Sequence, residues 1–199
     1  MHKQELAGPD IFVIHDFLSP AECWQHLVRC EEAGFDDAPI ATGRGAVMQK
    51  DIRNNDRVIF DDVDLARDLW ARAAPFFPPN FLAWVPVGLN ERFRSYRYTS
   101  GQKFDWHNDG FFDRGNGERS RYTFMIYLNE GCDGGETIFN LRRLGAVRDG
   151  EELLRVAPGT GKALAFRHDV LHTGAVVTAG TKYVLRTDVM YRAAEPTQR

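Results

Sequence analysis

From Val85 to near the C-terminus, short stretches rich in aromatic and β-branched residues alternate with turn signals. No other feature restricts the fold as strongly. The stretches are ERFRSYRYT, KFDWHND, RYTFMIYLN, GETIFN, GKALAFRH and TKYVLRTDVMY. Between them lie Ser100-Gly101, Gly115-Asn116-Gly117, Asp133-Gly134-Gly135, Pro158-Gly159 and Ala179-Gly180. Aromatic and β-branched side chains suit a pleated, half-buried surface, and Gly, Asn and Pro supply the backbone of turns. Many short strands at this spacing predict a sandwich or jelly roll.

The N-terminal half reads differently. Residues 10–17 (DIFVIHDF) predict a short strand. Ser19-Pro20-Ala21-Glu22 has the pattern of a capping box with Pro at the first helical position, so a helix is expected to about Ala33, stopped by Gly34. Val63, Ala66, Leu69, Trp70 and Ala73 stand near helical spacing, predicting a second helix from Asp62 to about Phe76 that ends at prolines. Residues 36–57 are polar and glycine-bearing, as in a long loop or loose hairpin that covers a site and moves without substrate. The fold expected is α+β and mainly β. It is a single domain over 1–199, with a helical and loop region at 1–84 packed outside a β core at 85–192.

Composition narrows the class. The 199 residues are 43% hydrophobic and 27% charged, enough to bury a core and too apolar for a disordered chain. A net charge of -3 lacks the basic surplus that phosphate binding wants, which counts against nucleic acid as a partner. Three cysteines, Cys23, Cys30 and Cys132, make an odd number without paired spacing, as expected of reduced thiols in a cytoplasmic protein. No apolar run is long enough for a signal-peptide core or a membrane span, so no membrane association is expected. Oligomeric state is open.

The chemistry centres on His107-Asn108-Asp109. Residues i and i+2 of a strand share a face, so this imidazole and carboxylate can grip one ion. A lone His-x-Asp is weak evidence, and a third ligand must come from elsewhere. Among six histidines, His172 in VLHTG is the best candidate. His2, His15 and His26 read as surface residues or ordinary helix neighbours. His168 and His172 are four apart, but a β context rejects a helical zinc pair, and His168 reads as a polar residue at a strand end. Two histidines and a carboxylate form the facial triad of non-haem iron(II) oxygenases, which leaves positions open for co-substrate and dioxygen.

The order and spacing of the surrounding motifs carry more weight than any one of them. They are Tyr98 to Asp109, Tyr127-Leu128-Asn129, Gly134-Gly135-Glu136-Thr137-Ile138-Phe139, Pro158-Gly159, Ala165-Phe166, His172-Thr173-Gly174 and Gly180-Thr181-Lys182-Tyr183. Over about residues 90–192 this series resembles the catalytic domain of the prolyl 4-hydroxylase-like branch of the 2-oxoglutarate/Fe(II) dioxygenases. The resemblance implies a double-stranded β-helix with Fe(2+) near one mouth, held by His107, Asp109 and His172. It implies 2-oxoglutarate near Tyr98 and Tyr127 with its far carboxylate on Lys182, and dioxygen as the second co-substrate. The reaction implied is hydroxylation of a C–H bond, with release of succinate and CO2.

Strand parity agrees with this. Lys182 and Arg186 fall on one face of their segment, Tyr96 and Tyr98 on one face of theirs, and Met125 and Tyr127 likewise. Arg186 is an extra inward cation. It could serve the same carboxylate, hold the substrate, or pair with an internal acid such as Glu136. The candidates to touch substrate are Arg53, Arg94, Tyr96 and Arg186, and the loop cations Arg44, Lys50 and Arg57 could join them around a small acid. The substrate expected is a proline-like peptide or a small molecule. The alternatives are an oxidative nucleic-acid demethylase and a non-catalytic jelly-roll binding module. Unperturbed imidazoles would make iron affinity weaken below about pH 6.5.

Overall fold

The computed structural model describes residues 1–42, 45–144 and 152–194. Alternation of side chains along the strands splits the core into two layers. Phe12, Ile14, Phe124, Ile126 and Leu185 face the helices, where Ala66, Leu69 and Ala73 meet them. Ile11, Val13, Met125, Tyr127, Phe166 and Val184 face the other way, onto Phe139 and Val156. A large sheet therefore has both faces covered, helices on one and a second sheet on the other. This is the jelly-roll arrangement expected, with the N-terminal helices outside.

The large sheet runs, in spatial order, His2–Ala7, Ile11–His15, Ala163–Arg167, Glu118–Tyr127, Lys182–Ala193, Arg92–Tyr98, Asp56–Asp61 and Asp36–Asp37. Trp84–Leu89 pairs with the far end of Lys182–Ala193. The small sheet runs Leu153–Val156, Thr137–Asn140, His172–Gly174 and Phe104–His107. All the pairings in both sheets are antiparallel.

Helix α1 spans Pro20–Ala33. The Glu22 amide donates to Ser19 Oγ at 3.3 Å, and the Ser19 amide donates back to Glu22 Oε2 at 2.8 Å, closing the box. Helix α2 spans Val63–Ala73, with the Leu65 amide donating to Asp62 Oδ1 at 2.9 Å. The amides of Phe17 and Leu18 both donate to the Gly161 carbonyl, which ties the entry of α1 to the sheet. Only glycine fits at 161: φ is +76°, and a Cβ would sit 1.9 Å from the Leu18 carbonyl oxygen.

Several strands went unread in the sequence, among them Trp84–Leu89 and Leu153–Val156. His2–Ala7 is an edge strand of HKQELA with no apolar alternation, held by pairing with Ile11–His15. Asp56–Asp61 (DRVIFD) lies next to Arg92–Tyr98 and takes up the end of the segment read as loop. The rest of that segment contains a small hairpin, Ile40–Thr42 with Gly45–Val47, which agrees with the hairpin reading. Gly43 and Arg44 lie outside the described residues. Among the described residues, no helix is long and apolar enough to cross a membrane.

Candidate metal and 2-oxoglutarate site

His107 and His172 sit directly opposite each other in the small sheet, so their rings approach to 4.2 Å between centroids. Asp109 follows two residues after His107, and its amide donates to the His168 carbonyl at 3.0 Å. One ligand atom from each of His107, Asp109 and His172 lies within 4.8 Å of the others. The tautomers are set by the backbone. His107 Nδ1 donates to the Asp105 carbonyl at 2.7 Å, and His172 Nδ1 to the Val170 carbonyl at 2.9 Å. Each Nε2 is thereby left with its lone pair toward the carboxylate, 3.7 Å from Asp109 on both sides. Two imidazole lone pairs and a carboxylate converging without bonding one another suit a divalent metal ion. These residues fit the iron that the resemblance implies.

Burial lowers the proton affinity of this cluster. The His107 pKa falls to about 3, mainly by desolvation and also by repulsion from His172. His172 and His168 are lowered by burial as well. Burial thus favours the neutral, ligating form of the rings, so metal affinity should fall off at a lower pH than the 6.5 expected of unperturbed imidazoles. Burial alone would raise Asp109, but the Arg186 guanidinium beside it holds it well below the usual carboxylate range.

The environment of Asp109 went unseen in the sequence. Thr123 Oγ1 donates to its Oδ2 in a short hydrogen bond, and Arg186 Nη2 reaches the same oxygen at 3.1 Å. Among the described residues no hydrogen bond reaches Oδ1. His168 is not merely a strand-end polar residue. It is buried between Thr123 Oγ1, 3.1 Å from Nδ1, and Ser120 Oγ, 2.9 Å from Nε2. The available signal was that Thr123 shares the strand parity of Met125, which also lines the cavity.

Arg186 does pair with internal acids, but these are Asp109 and Asp188 (3.3 Å), not Glu136. Burial would lower its pKa; Asp109, Tyr96 and Asp188 more than reverse this.

Behind the triad a small cavity is lined by Tyr98, Met125, Thr137, Lys182, Val184 and Arg186, among others. Lys182 is 2% exposed, and its Nζ donates to the Gly135 carbonyl at 2.6 Å. Its Nζ also lies over the Tyr98 ring at 4.8 Å. Burial takes its pKa down to about 8. Tyr98, raised by burial to about 12, keeps its hydroxyl proton for donation. Tyr127 is fully buried behind this wall, its hydroxyl 2.7 Å from Thr137 Oγ1. Thr137, unlike Tyr127, lines the cavity itself.

A wider cavity adjoins the first at the triad, the two sharing Tyr96, Phe104, His107, Asp109 and Arg186. Its wall includes Arg53, Arg57, Arg94, Tyr96, Arg186 and Asp188. All four candidate substrate residues are thus brought together. Lys50 is not; it pairs with Asp37 on the surface at 2.9 Å.

Residues 93–187 match the family model of the 2OG-Fe(II) oxygenase superfamily, and the matched span contains the triad and Lys182. These residues form a 2OG-Fe(II) oxygenase domain. Its Fe(2+), 2-oxoglutarate and dioxygen requirements are those of the superfamily, and it is a dioxygenase of the hydroxylase type. Prolyl 4-hydroxylase 1 of Arabidopsis thaliana is 28% identical over 197 residues, covering 88% of this chain and 67% of that protein. The fold matches a viral collagen prolyl hydroxylase of Paramecium bursaria Chlorella virus-1, solved with 2OG, at a TM-score of 0.62 and 17% identity. That match covers 95% of this chain and all of the other. A Trichoplax adhaerens prolyl hydroxylase, solved with a peptide fragment of hypoxia inducible factor, matches at a TM-score of 0.66 and 16% identity, covering 92% and 84%.

Proposed function

We propose that this 2OG-Fe(II) oxygenase hydroxylates a saturated C–H bond, of the kind found in a prolyl ring, in a peptide or a small molecule. The observation that carries the reading is the arrangement of the triad between two cavities. The inner one ends on a buried lysine, and the outer one opens to solvent. A co-substrate and a substrate can therefore reach one metal from two adjoining cavities. The rim of the outer cavity includes the exposed Phe111 and Phe112, apolar surface suited to the body of a ring. The relatives named above are prolyl hydroxylases, which supports the ring-type substrate.

In this reading His107, Asp109 and His172 hold the iron, and Lys182 pairs with the far carboxylate of 2-oxoglutarate. An unpaired carboxylate in that apolar pocket would be costly, so the lysine is needed there. Tyr98 donates to the same carboxylate. Thr123 and Arg186 both hold Asp109 Oδ2, leaving Oδ1 for the metal. His168 keeps Thr123 turned toward Asp109. The iron with 2-oxoglutarate and dioxygen supplies the oxidising power, decarboxylating the co-substrate to succinate. The chain's own tasks are ligation, orientation and exclusion of water.

The test is succinate release by the iron-loaded chain, with blocked prolyl peptides and with free small molecules, joined to mass analysis of the product. A substrate-dependent rise in succinate with one oxygen gained by the substrate is the expected result. Substrate-independent succinate at an unchanged rate across both sets would contradict the ring-type assignment.

A further inference from the structure

The outer cavity is electrically unbalanced. Its wall carries Arg53, Arg57, Arg94 and Arg186 against the carboxylates Asp109 and Asp188. Four positive groups less two negative ones leave a surplus of two. The reaction does not remove it, because a ferrous ion and a doubly charged 2-oxoglutarate cancel each other.

The sheet enforces the crowding. Arg94 stands directly opposite Arg186 on the neighbouring strand, and Arg57 directly opposite Tyr96, one pleat further along. Like charges facing each other across strands are destabilising. Asp188 relieves part of this, bonding Arg94 at 3.3 Å and Arg186 at 3.3 Å. Nothing comparable relieves Arg53 and Arg57. Among the described residues no carboxylate pairs with either. Arg53 is 5% exposed, stacks over the Phe104 and Tyr96 rings at 4.4 Å and 4.7 Å, and donates from Nε to Asn55 Oδ1 at 2.7 Å. Its Nη2 is buried and, among the described residues, has no hydrogen-bond partner. A buried guanidinium nitrogen left unsatisfied is costly and calls for a partner.

Two groups in the wall register the positive potential. Tyr96 is buried, which alone would raise its phenol, yet Arg186, Arg53 and Arg94 pull it below its ordinary value. Arg57 is lowered by burial and then by repulsion from Arg53 and Arg94.

We infer that the substrate carries an oxyanion, a carboxylate or a phosphate, that seats against Arg53, Arg57 and Arg94 beside the triad. This deepens the proposed function and rests on it. The planar fork of a guanidinium matches either oxyanion in two-point contact. The exposed Phe111 and Phe112 then cover the apolar remainder of the molecule. The anion enters either as an acidic residue next to the reacting ring in a peptide or as the free acid group of a small molecule.

The test begins with inorganic phosphate, titrated calorimetrically into the full chain at low ionic strength, with 2-oxoglutarate and manganese(II) added to saturation. Saturable binding in the millimolar range is expected. Arg57→Gln should weaken it about tenfold, roughly the worth of one charge-assisted hydrogen bond. Arg53→Gln should do the same if it folds, and Arg57 suffices if it does not. Arg142→Gln, far from the wall on an exposed ion pair, should change nothing. Absence of saturation in the folded wild-type chain, or equal binding by Arg57→Gln, overturns the inference.

Displacement of phosphate separates the sources. Acetyl-Glu-Pro-Gly-amide outcompeting its Gln counterpart points to an acidic peptide. N-acetylalanine outcompeting its amide points to a small free acid, and displacement by neither acid points to a phosphoryl group. Failure of the proposed function looks different: manganese(II) and 2-oxoglutarate would not bind, while phosphate still would.

Discussion

Replacing Lys182 by methionine should make the chain more stable and less able to bind its co-substrate. Lys182 is 2% exposed, and burial moves its ammonium from an ordinary 10.5 to about 8. At about 1.4 kcal/mol per tenfold change in proton affinity, keeping that charge at neutral pH costs folding about 3 kcal/mol. Methionine has similar length and no charge, so the cost disappears. The substitution also leaves the Gly135 carbonyl without its donor at 2.6 Å, a loss of about 1–2 kcal/mol. The net expectation is a gain of about 1–2 kcal/mol, a rise of several degrees in melting temperature for a chain of this size. The folded value lies below the unfolded one, so the cost is fully present below pH 8 and fades as pH rises from about 8 to 10.5. The advantage of the variant should therefore shrink across that window. Affinity for 2-oxoglutarate should move the other way, weakening about 10- to 150-fold with the loss of a charge-assisted contact. In the wild type it should hold steady below pH 8 and decline above it. Thermal denaturation of the metal-free chain and calorimetric titration of the manganese-loaded chain read both effects. A variant that is less stable and keeps its 2-oxoglutarate affinity would refute the reasoning.

Other expectations follow from the same geometry. His107→Ala, Asp109→Ala and His172→Ala should each abolish 2-oxoglutarate turnover in a chain whose circular dichroism is unchanged, and turnover retained by any of them removes that residue from the ligand set. Thr123→Val should weaken metal binding about 10- to 100-fold by releasing Asp109, measured by competition with a chelator; an unchanged affinity would deny the threonine a positioning role. Because burial lowers His107 to about 3, metal affinity should stay flat from neutral pH to about pH 5, while the metal-free chain loses stability as pH falls below 6.5, since unfolded histidines take up protons that folded ones refuse. Limited proteolysis should cut first within the exposed residues 45–52, and a verified substrate should protect them; indifference to substrate would make the segment a plain surface connection.

The fold was legible where local chemistry and pattern agree. The capping box at Ser19 and the alternation in RYTFMIYLN and TKYVLRTDVMY each announce an element that forms as read. His2–Ala7 was silent because an edge strand gains its backbone hydrogen bonds from a neighbour and needs no apolar face of its own. In the site, the i, i+2 pair and the inward parity of Lys182 and Arg186 are local facts and could be read. The hold of Thr123 on Asp109, the burial of His168 between Ser120 and Thr123, and the two acids on Arg186 depend on which strands become neighbours. Spacing along the chain carries no record of that. Imidazole proton affinity is illegible for the same reason, since it follows the packing of Phe104 and Phe166 on the rings.

The central claim is that one metal is gripped by three side chains while 2-oxoglutarate reaches it from the inner cavity. A crystal structure of the chain with manganese(II) and 2-oxoglutarate, grown without dioxygen, tests it most directly through the anomalous signal of the metal. The account predicts a single metal peak bonded to His107 Nε2, Asp109 Oδ1 and His172 Nε2, with the far carboxylate on Lys182 and Tyr98. A metal bound elsewhere, or a far carboxylate resting on Arg186 with Lys182 unengaged, would contradict it.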